Sequence, residues 1–314
     1  RDYNTRIPML GMLLLGVCGG CVGTFMLLRK RSLISDVVSH ASLSGIAAAF
    51  LIHKVLGSQD QRSLPVLLTG ALVAGLAAIL CTTAIRRWSR IKEDAAQAIV
   101  LSVFFGIGIA LFTIVDDIPS GAVAGLNQFI FGQAASMSQD DLWLITVSVA
   151  AVLATCALLF KEFGLLCFDE DFAGTQGWPV ATLDLVLMGL VVAVSVIGLQ
   201  CVGLLLVVAM LIIPAAAARF WTDRLGPMAL IASLLGGAGA VAGIIVSALF
   251  LRISAGAIIV LVSAGFFLFS MAFGTSRGVI RRAMVRFQTR RRVGRHDLLR
   301  SIYECLEPLL EPLP

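Results

Sequence analysis

The sequence is poor in charge for its length. Charged residues make up 14% of the 314 residues, whereas apolar types make up 59% and the mean hydropathy is +0.96. A soluble domain of ordinary composition carries about 25% charged residues. This shortage excludes an ordinary soluble globular protein and indicates a polytopic membrane protein.

Motifs that bind nucleotide phosphates or catalytic zinc are missing as well. No lysine follows a glycine anywhere in the chain, so the phosphate-binding loop G-x-x-x-x-G-K-[ST] is absent. The three histidines, His40, His53 and His296, do not have the H-E-x-x-H spacing of a zinc protease. We therefore expect that this chain is not an enzyme and that any ATP driving it is hydrolysed by another protein.

Long apolar runs dominate what is present. Each is long enough to cross a bilayer, which takes about 20 residues. The run Val180–Ala218 has 39 residues and would be about 58 Å long as one helix, so we expect two spans there with a turn near Gly198–Gly203. The chain is thus predicted to be an all-α polytopic membrane protein with about nine transmembrane helices. The other spans are predicted at Met9–Leu28, Leu33–Ile52, Pro65–Ile85, Ala95–Val115, Leu142–Phe160, Leu225–Leu251 and Ile253–Phe273.

The distribution of basic residues supports nine spans. With the N-terminus outside, nine spans place 19 of the 24 Lys and Arg residues on the cytoplasmic side, whereas treating the long run as one span places only 9 there. The positive-inside rule favours the first arrangement, with a cytoplasmic C-terminus. We expect a transmembrane domain over residues 7–275 and a basic cytoplasmic tail over 276–314. The charge of the tail favours contact with membrane lipid over nucleic acid.

Two ionisable residues, Asp36 and His40, interrupt the apolar run Leu33–Ile52. Ionisable groups are costly in hydrocarbon and usually face a bundle interior or a pathway. At a spacing of four they lie one turn apart on one helix face. A carboxylate oxygen and an imidazole nitrogen together suit a divalent first-row metal. From the residues alone a metal pathway, a proton relay and a buried ion pair all remain open.

Two further features carry predictions. Pro214 falls within the seventh span, and proline removes a backbone hydrogen bond, so we expect a helix kink there. The longest inner loop, Lys161–Pro179, carries Phe168 and Phe172 at the spacing of a short amphipathic helix. Exposed aromatic residues on the cytoplasmic side favour a docking surface.

Three segments resemble the bacterial ABC permeases for manganese, zinc or iron. They are Leu27–Gly45, which contains Arg-Lys-Arg and Ser-Asp-Val-Val-Ser-His, Val202–Arg219, which contains Ile-Ile-Pro-Ala-Ala-Ala-Ala, and Ser254–Leu261. The resemblance implies a transport subunit in the bacterial plasma membrane that works as a dimer of identical or related permeases. Cytoplasmic ATPases and an extracytoplasmic metal-binding protein are the implied partners. The metal is the cargo, and no permanently bound cofactor is expected.

The resemblance also implies roles for particular residues. Asp36 and His40 match the metal-coordinating aspartate and histidine of the family, although Ser44 stands where many relatives have proline. Residues 294–304 resemble the first helix of a metal-responsive winged-helix repressor, so the tail is expected to hold the start of a truncated regulator. The element that docks on the ATPase is matched by Phe168, Asp169, Asp171, Phe172, Ala173 and Gly177.

Two rival functions stay open beside this one. The first is a proton-coupled secondary transporter of metal ions or small solutes, in which Asp36 and His40 relay protons. The second is an ABC permease for a bulky chelate or vitamin, which calls for a wide apolar cavity and has little need for the Asp36–His40 pair.

Overall fold

The fold is built from helices. The computed structural model describes residues 3–55, 64–116, 137–249 and 255–286, with separate helical positions at 289, 297 and 300–303, and no strand occurs among them. A helical segment over 279–286 follows the last long helix. The helices before it are α1 Tyr3–Leu28, α2 Ile34–Val55, α3 Leu64–Trp88, α4 Glu93–Asp116, α5 Gln139–Leu158, α6 Phe160–Phe168, α7 Glu170–Thr175, α8 Val180–Val202, α9 Leu204–Ala218, α10 Leu225–Leu249 and α11 Ala255–Phe273.

The all-α membrane architecture is confirmed. Within the described ranges, eight helices have the length and apolar composition to cross a membrane. A ninth apolar helix, α9, is shorter, with 15 residues. The nine predicted spans therefore correspond to eight full-length helices and one short helix.

The predicted turn in the long apolar run is found at Gly203. α8 ends one residue before it and α9 begins one residue after it, and its φ of +82° is a conformation that glycine adopts without a Cβ clash. A Cβ on Gly198 would lie 2.7 Å from the Val207 side chain. A continuous helix would separate these residues by about 13 Å, so the chain reverses direction at Gly203.

Glycines on α1 set the distance to its neighbours. A Cβ on Gly20 would overlap the Ala232 carbonyl of α10, and a Cβ on Gly23 would overlap the Leu211 carbonyl of α9. Such small residues allow helix backbones to approach closely in membranes. Since 67% of the α1 span and 72% of the α2 span are buried, more than in any other span described, these two helices form the centre of the bundle.

Pro214 lies inside α9, which continues through it. Because proline has no N–H, the Met210 carbonyl one turn earlier has no helical donor. This carbonyl faces α1, where a Cβ on Gly19 would lie 3.1 Å from its oxygen. Pro214 thus frees a carbonyl at a close contact between α1 and α9, while the kink itself stays a prediction.

The loops predicted to be cytoplasmic meet at one end of the bundle, which we call the basic end. Arg29, after α1, pairs with Glu170 of α7, and Arg277, after α11, pairs with Asp223 between α9 and α10. A Cβ on Gly164 of α6 would lie 3.0 Å from the Leu225 side chain of α10, so the two groups of loops share one end. The side of the membrane that this end faces stays a prediction.

The chain after α11 is anchored to the basic end through residues 274–278. The Ser276 hydroxyl donates a hydrogen bond of 2.6 Å to Asp223 Oδ2, and its N–H donates to the Phe220 carbonyl at 2.9 Å. Gly274–Gly278 has the G-x-S-x-G spacing of an esterase nucleophile, but in esterases that motif follows a strand. Here it follows a membrane helix, and the hydrogen bonds of Ser276 hold the chain to the loop between α9 and α10. The predicted winged-helix start, residues 294–304, lies largely outside the described residues.

The close approach of α1 and α10 generates a stability prediction. Gly20→Ala is expected to lower the free energy of unfolding by about 2 kcal/mol, because the new Cβ overlaps the Ala232 carbonyl and overpacking costs about that much. Gly265→Ala on α11, where a Cβ meets open space, is the matched control and should be neutral or slightly stabilising. Thermal unfolding in detergent measures both variants, and equal midpoints would contradict the packing account.

Candidate functional site

Asp36 and His40 lie one turn apart near the start of α2, as the sequence predicts. Both side chains are half-buried, although α2 is the most buried of the described spans. Gly45, nine residues beyond Asp36, packs on Gly70 of α3. Nine residues are two and a half turns, so Asp36 lies on the face of α2 opposite α3 and keeps partial exposure there.

The His40 ring packs edge-on against Phe105 of α4, with ring centroids 4.9 Å apart and planes at 81°. Its Nδ1 atom is buried and has no hydrogen-bond partner among the described residues. Within the same ranges no ion pair joins His40 to Asp36. A ring nitrogen without a protein partner is available as a ligand.

α4 runs beside α2 through this region. Glu93, Gln97 and Phe105 follow one another along α4 at spacings of four and eight residues, a row that turns by about 120° around the helix between Glu93 and Phe105. Glu93 pairs with Arg31 just before α2, and Phe105 contacts His40. Gln97 lies between these two levels, fully buried, with no partner for either amide atom in the described part of the chain. Sequence reasoning missed Gln97, for which the available signal is a lone glutamine in the fourth predicted span.

The ligand set on one chain is small. In the part of the chain that the structure describes, no group of three or more His, Cys, Asp or Glu side chains is arranged to hold a metal ion. Asp36 and His40 thus offer two ligands.

A second group of polar residues, which we call the ion cluster, lies buried at the basic end. Asp184, near the start of α8, accepts a hydrogen bond of 2.8 Å from Arg29 Nη2 and bonds of 2.8 and 2.7 Å from Arg31 Nη1. The three side chains are 4–9% exposed. Burial acts to lower the pKa of Arg29, but the charges and hydrogen bonds of Asp184 and Glu170 outweigh burial and raise that pKa. The guanidinium therefore stays charged.

The ion cluster extends to three further helices. Arg29 Nη1 donates to the Leu166 carbonyl of α6 at 3.0 Å and to Glu170 Oε2 of α7 at 2.9 Å. Arg31 also pairs with Glu93 at the start of α4. A buried charge is tolerated when it is paired and hydrogen-bonded, and these contacts supply both conditions.

The turn between α1 and α2 brings both arginines to the same carboxylate. Lys30 has φ 58°, and the N–H groups of Lys30 and Arg31 donate to carbonyls in the last turn of α1 at 3.1 Å each. This is a Schellman termination, in which glycine is the usual residue at the position of Lys30. Sequence reasoning missed the ion cluster, because Asp184 lies 153 residues after Arg31 and no local pattern joins them.

The segment predicted to dock on an ATPase forms two short helices instead of one amphipathic helix. Phe168 ends α6, and Asp169, with φ −150°, caps α7 by accepting a hydrogen bond of 2.9 Å from the Phe172 N–H. Phe168 and Phe172 are 66% and 49% exposed. The other predicted positions are Asp171, exposed on α7, Ala173, buried, and Gly177, with φ +83°.

Removing the charge of Asp184 is expected to lower the free energy of unfolding strongly. Asp184→Asn is expected to lower the free energy of unfolding by about 3 kcal/mol, because two buried guanidinium groups lose their shared anion. Asp94→Asn removes the same charge from an exposed side chain on α4 and should stay within about 0.5 kcal/mol of the parent. Thermal unfolding in detergent compares them. A shift in Asp184→Asn no larger than that of the control would contradict the proposed burial of paired charge.

Comparison with known proteins identifies the family of this chain. The sequence model of the ABC 3 transport family matches residues 2–274. The chain is 44% identical over 304 residues to the manganese transport system membrane protein MntC of Bacillus subtilis, which covers 97% of this chain and 68% of that protein. It is 42% identical over 280 residues to the zinc transport system membrane protein TroC of Treponema pallidum, covering 89% of this chain and 92% of that protein.

A solved structure agrees with these relatives. A chain of PsaBC from Streptococcus pneumoniae in complex with Fab matches with a TM-score of 0.73 and 32% identity, over 86% of this chain and 91% of that chain. The family match extends across the helices from α1 to α11, and the missing phosphate-binding loop agrees with ATP hydrolysis on a separate subunit. The chain therefore belongs to the ABC 3 transport family, as a multi-pass permease subunit of the bacterial plasma membrane.

Proposed function

We propose that this permease serves an ATP-driven importer of manganese or zinc, and that the ion passes Asp36 and His40 on α2. The observation that carries the proposal is the pair itself, two ligand side chains one turn apart and half-buried within a span. The names of the relatives support both ions, manganese in Bacillus subtilis and zinc in Treponema pallidum. Neither name supports iron, the third ion that the sequence resemblance implies.

The chemistry of the pair fits such an ion. Asp36 supplies a carboxylate oxygen and His40 an imidazole nitrogen, and both metals accept this combination. Because the described residues bring no third His, Cys, Asp or Glu to the pair, water, backbone carbonyls or another chain complete the coordination. Incomplete coordination by one chain lets the ion move on.

A second permease copy, identical or closely related, is part of the proposal. Asp36 lies on the face of α2 opposite α3, and the neighbouring helix α4 exposes apolar side chains such as Val103, Phe105 and Ile107. Joining these faces across a dimer would bring two Asp36–His40 pairs to one shared path. The partner's contribution would thus make up the ligands that one chain lacks.

Two further partners supply energy and cargo. Phe168 and Phe172 project from the basic end, where α7 is tied to the bundle through Glu170 and Arg29. We propose that cytoplasmic ATPases bind this aromatic pair and that an extracytoplasmic protein delivers the ion at the opposite end. ATP-driven closure of the ATPases then changes access to Asp36 and His40.

The proposal predicts that the pair is needed for uptake and not for ATP hydrolysis. Asp36→Ala and His40→Ala are each expected to reduce manganese or zinc uptake at least about tenfold, since even loss of an outer-shell partner of a metal ligand costs that much. Radiolabelled uptake into proteoliposomes that hold the complete complex and internal ATP is the measurement. ATP hydrolysis should persist in both variants.

His53→Ala, which removes another imidazole from α2, is the matched control and should transport like the parent. Parental uptake in both pair variants would remove the site. Uptake that collapses with a proton uncoupler while internal ATP remains would favour the proton-coupled alternative, to which the family match gives no support.

A further inference from the structure

We propose that Arg29, Asp184 and Arg31 form the link that carries motion of the ATPase-docking helix α7 to the metal-binding helix α2. This role rests on the proposed function and extends it to residues that neither the motif nor the relatives' names assign. The three side chains are positioning residues, because they lie apart from Asp36 and His40 and act through the helices that they join.

The contacts form an unbroken chain from α7 to α2. Glu170 on α7 lies 2.9 Å from Arg29, and Arg29 lies 2.8 Å from Asp184. Asp184 in turn accepts bonds of 2.7 and 2.8 Å from Arg31, which precedes Asp36 by five residues. Each step is a charge-assisted hydrogen bond, which is shorter and stronger than a neutral one.

The same cluster also holds the other helix of the metal site. Arg31 pairs with Glu93 at the start of α4, and Phe105 of α4 contacts the His40 ring. A shift of Arg31 would therefore displace α2, which carries His40, and α4, which packs against the His40 ring. The packing of α1 against α9 and α10 through Gly20 and Gly23 gives this motion a fixed support.

Burial makes the link stiff. Arg29, Arg31 and Asp184 are at most 9% exposed, so separating any pair would leave a charge without a partner and without water. The cluster is therefore expected to move as one body. Glu170 is different, because its side chain is 48% exposed and it forms the joint to the docking helix.

Because Glu170 is exposed, it can be substituted without destabilising the fold. Glu170→Gln removes the charge on α7 without leaving a buried anion, and Arg29→Lys keeps the positive charge but loses the two-nitrogen fork that spans Glu170 and Asp184. The complete complex in proteoliposomes is assayed for manganese ions transported per ATP hydrolysed. Asp94→Asn, an exposed carboxylate on α4, is the matched control.

In both variants we expect ATP hydrolysis to continue and the number of ions per ATP to fall about fivefold or more, as for loss of one charge-assisted hydrogen bond. The ratio in Asp94→Asn should equal that of the parent. A cluster that only stabilises the fold would lower uptake and hydrolysis together and leave the ratio unchanged, and this result would overturn the link. Failure of the proposed function is distinguishable, because the parent complex would then take up neither manganese nor zinc.

Discussion

One buried carboxylate, shared by two arginines, holds the basic end of this permease together. Asp184 alone would be costly at the start of an apolar span, and so would Arg29 and Arg31 at their low exposure. Joined by three hydrogen bonds, they connect the turn after α1 to the start of α8. The positions of α7, through Glu170, and of α4, through Glu93, depend on the same group.

Two aspartates, near the starts of α2 and α8, have opposite surroundings. Asp184 has its charge satisfied by protein, whereas Asp36 lies half-buried without an ion-pair partner in the described ranges. His40 Nδ1 and the Gln97 amide are also unpartnered there. Unsatisfied polar groups are expensive in a membrane, and these groups on α2 and α4 are the ones that the proposed ion path would use.

Much of this arrangement is readable from the sequence because it depends on local signals. Apolar runs give the spans, the length of Val180–Ala218 requires the reversal at Gly203, and the spacing of Asp36 and His40 gives a shared face. The ion cluster was not predictable, because it depends on which loops meet and on Lys30 adopting a backbone conformation that favours glycine. Likewise Asp169, as the cap of α7, divides the docking segment that the Phe168–Phe172 spacing suggests is one helix.

The central claim is that the transported ion binds His40. The chain has three histidines, so histidine nitrogen coordination can be assigned with few variants. Pulsed electron paramagnetic resonance of manganese trapped in the complete complex, with nitrogen-15 histidine in the permease alone, measures that coordination directly. The account predicts a histidine nitrogen coupling in the parent that is retained in His53→Ala and absent in His40→Ala. A coupling that persists in His40→Ala, or that is missing in the parent, would contradict it.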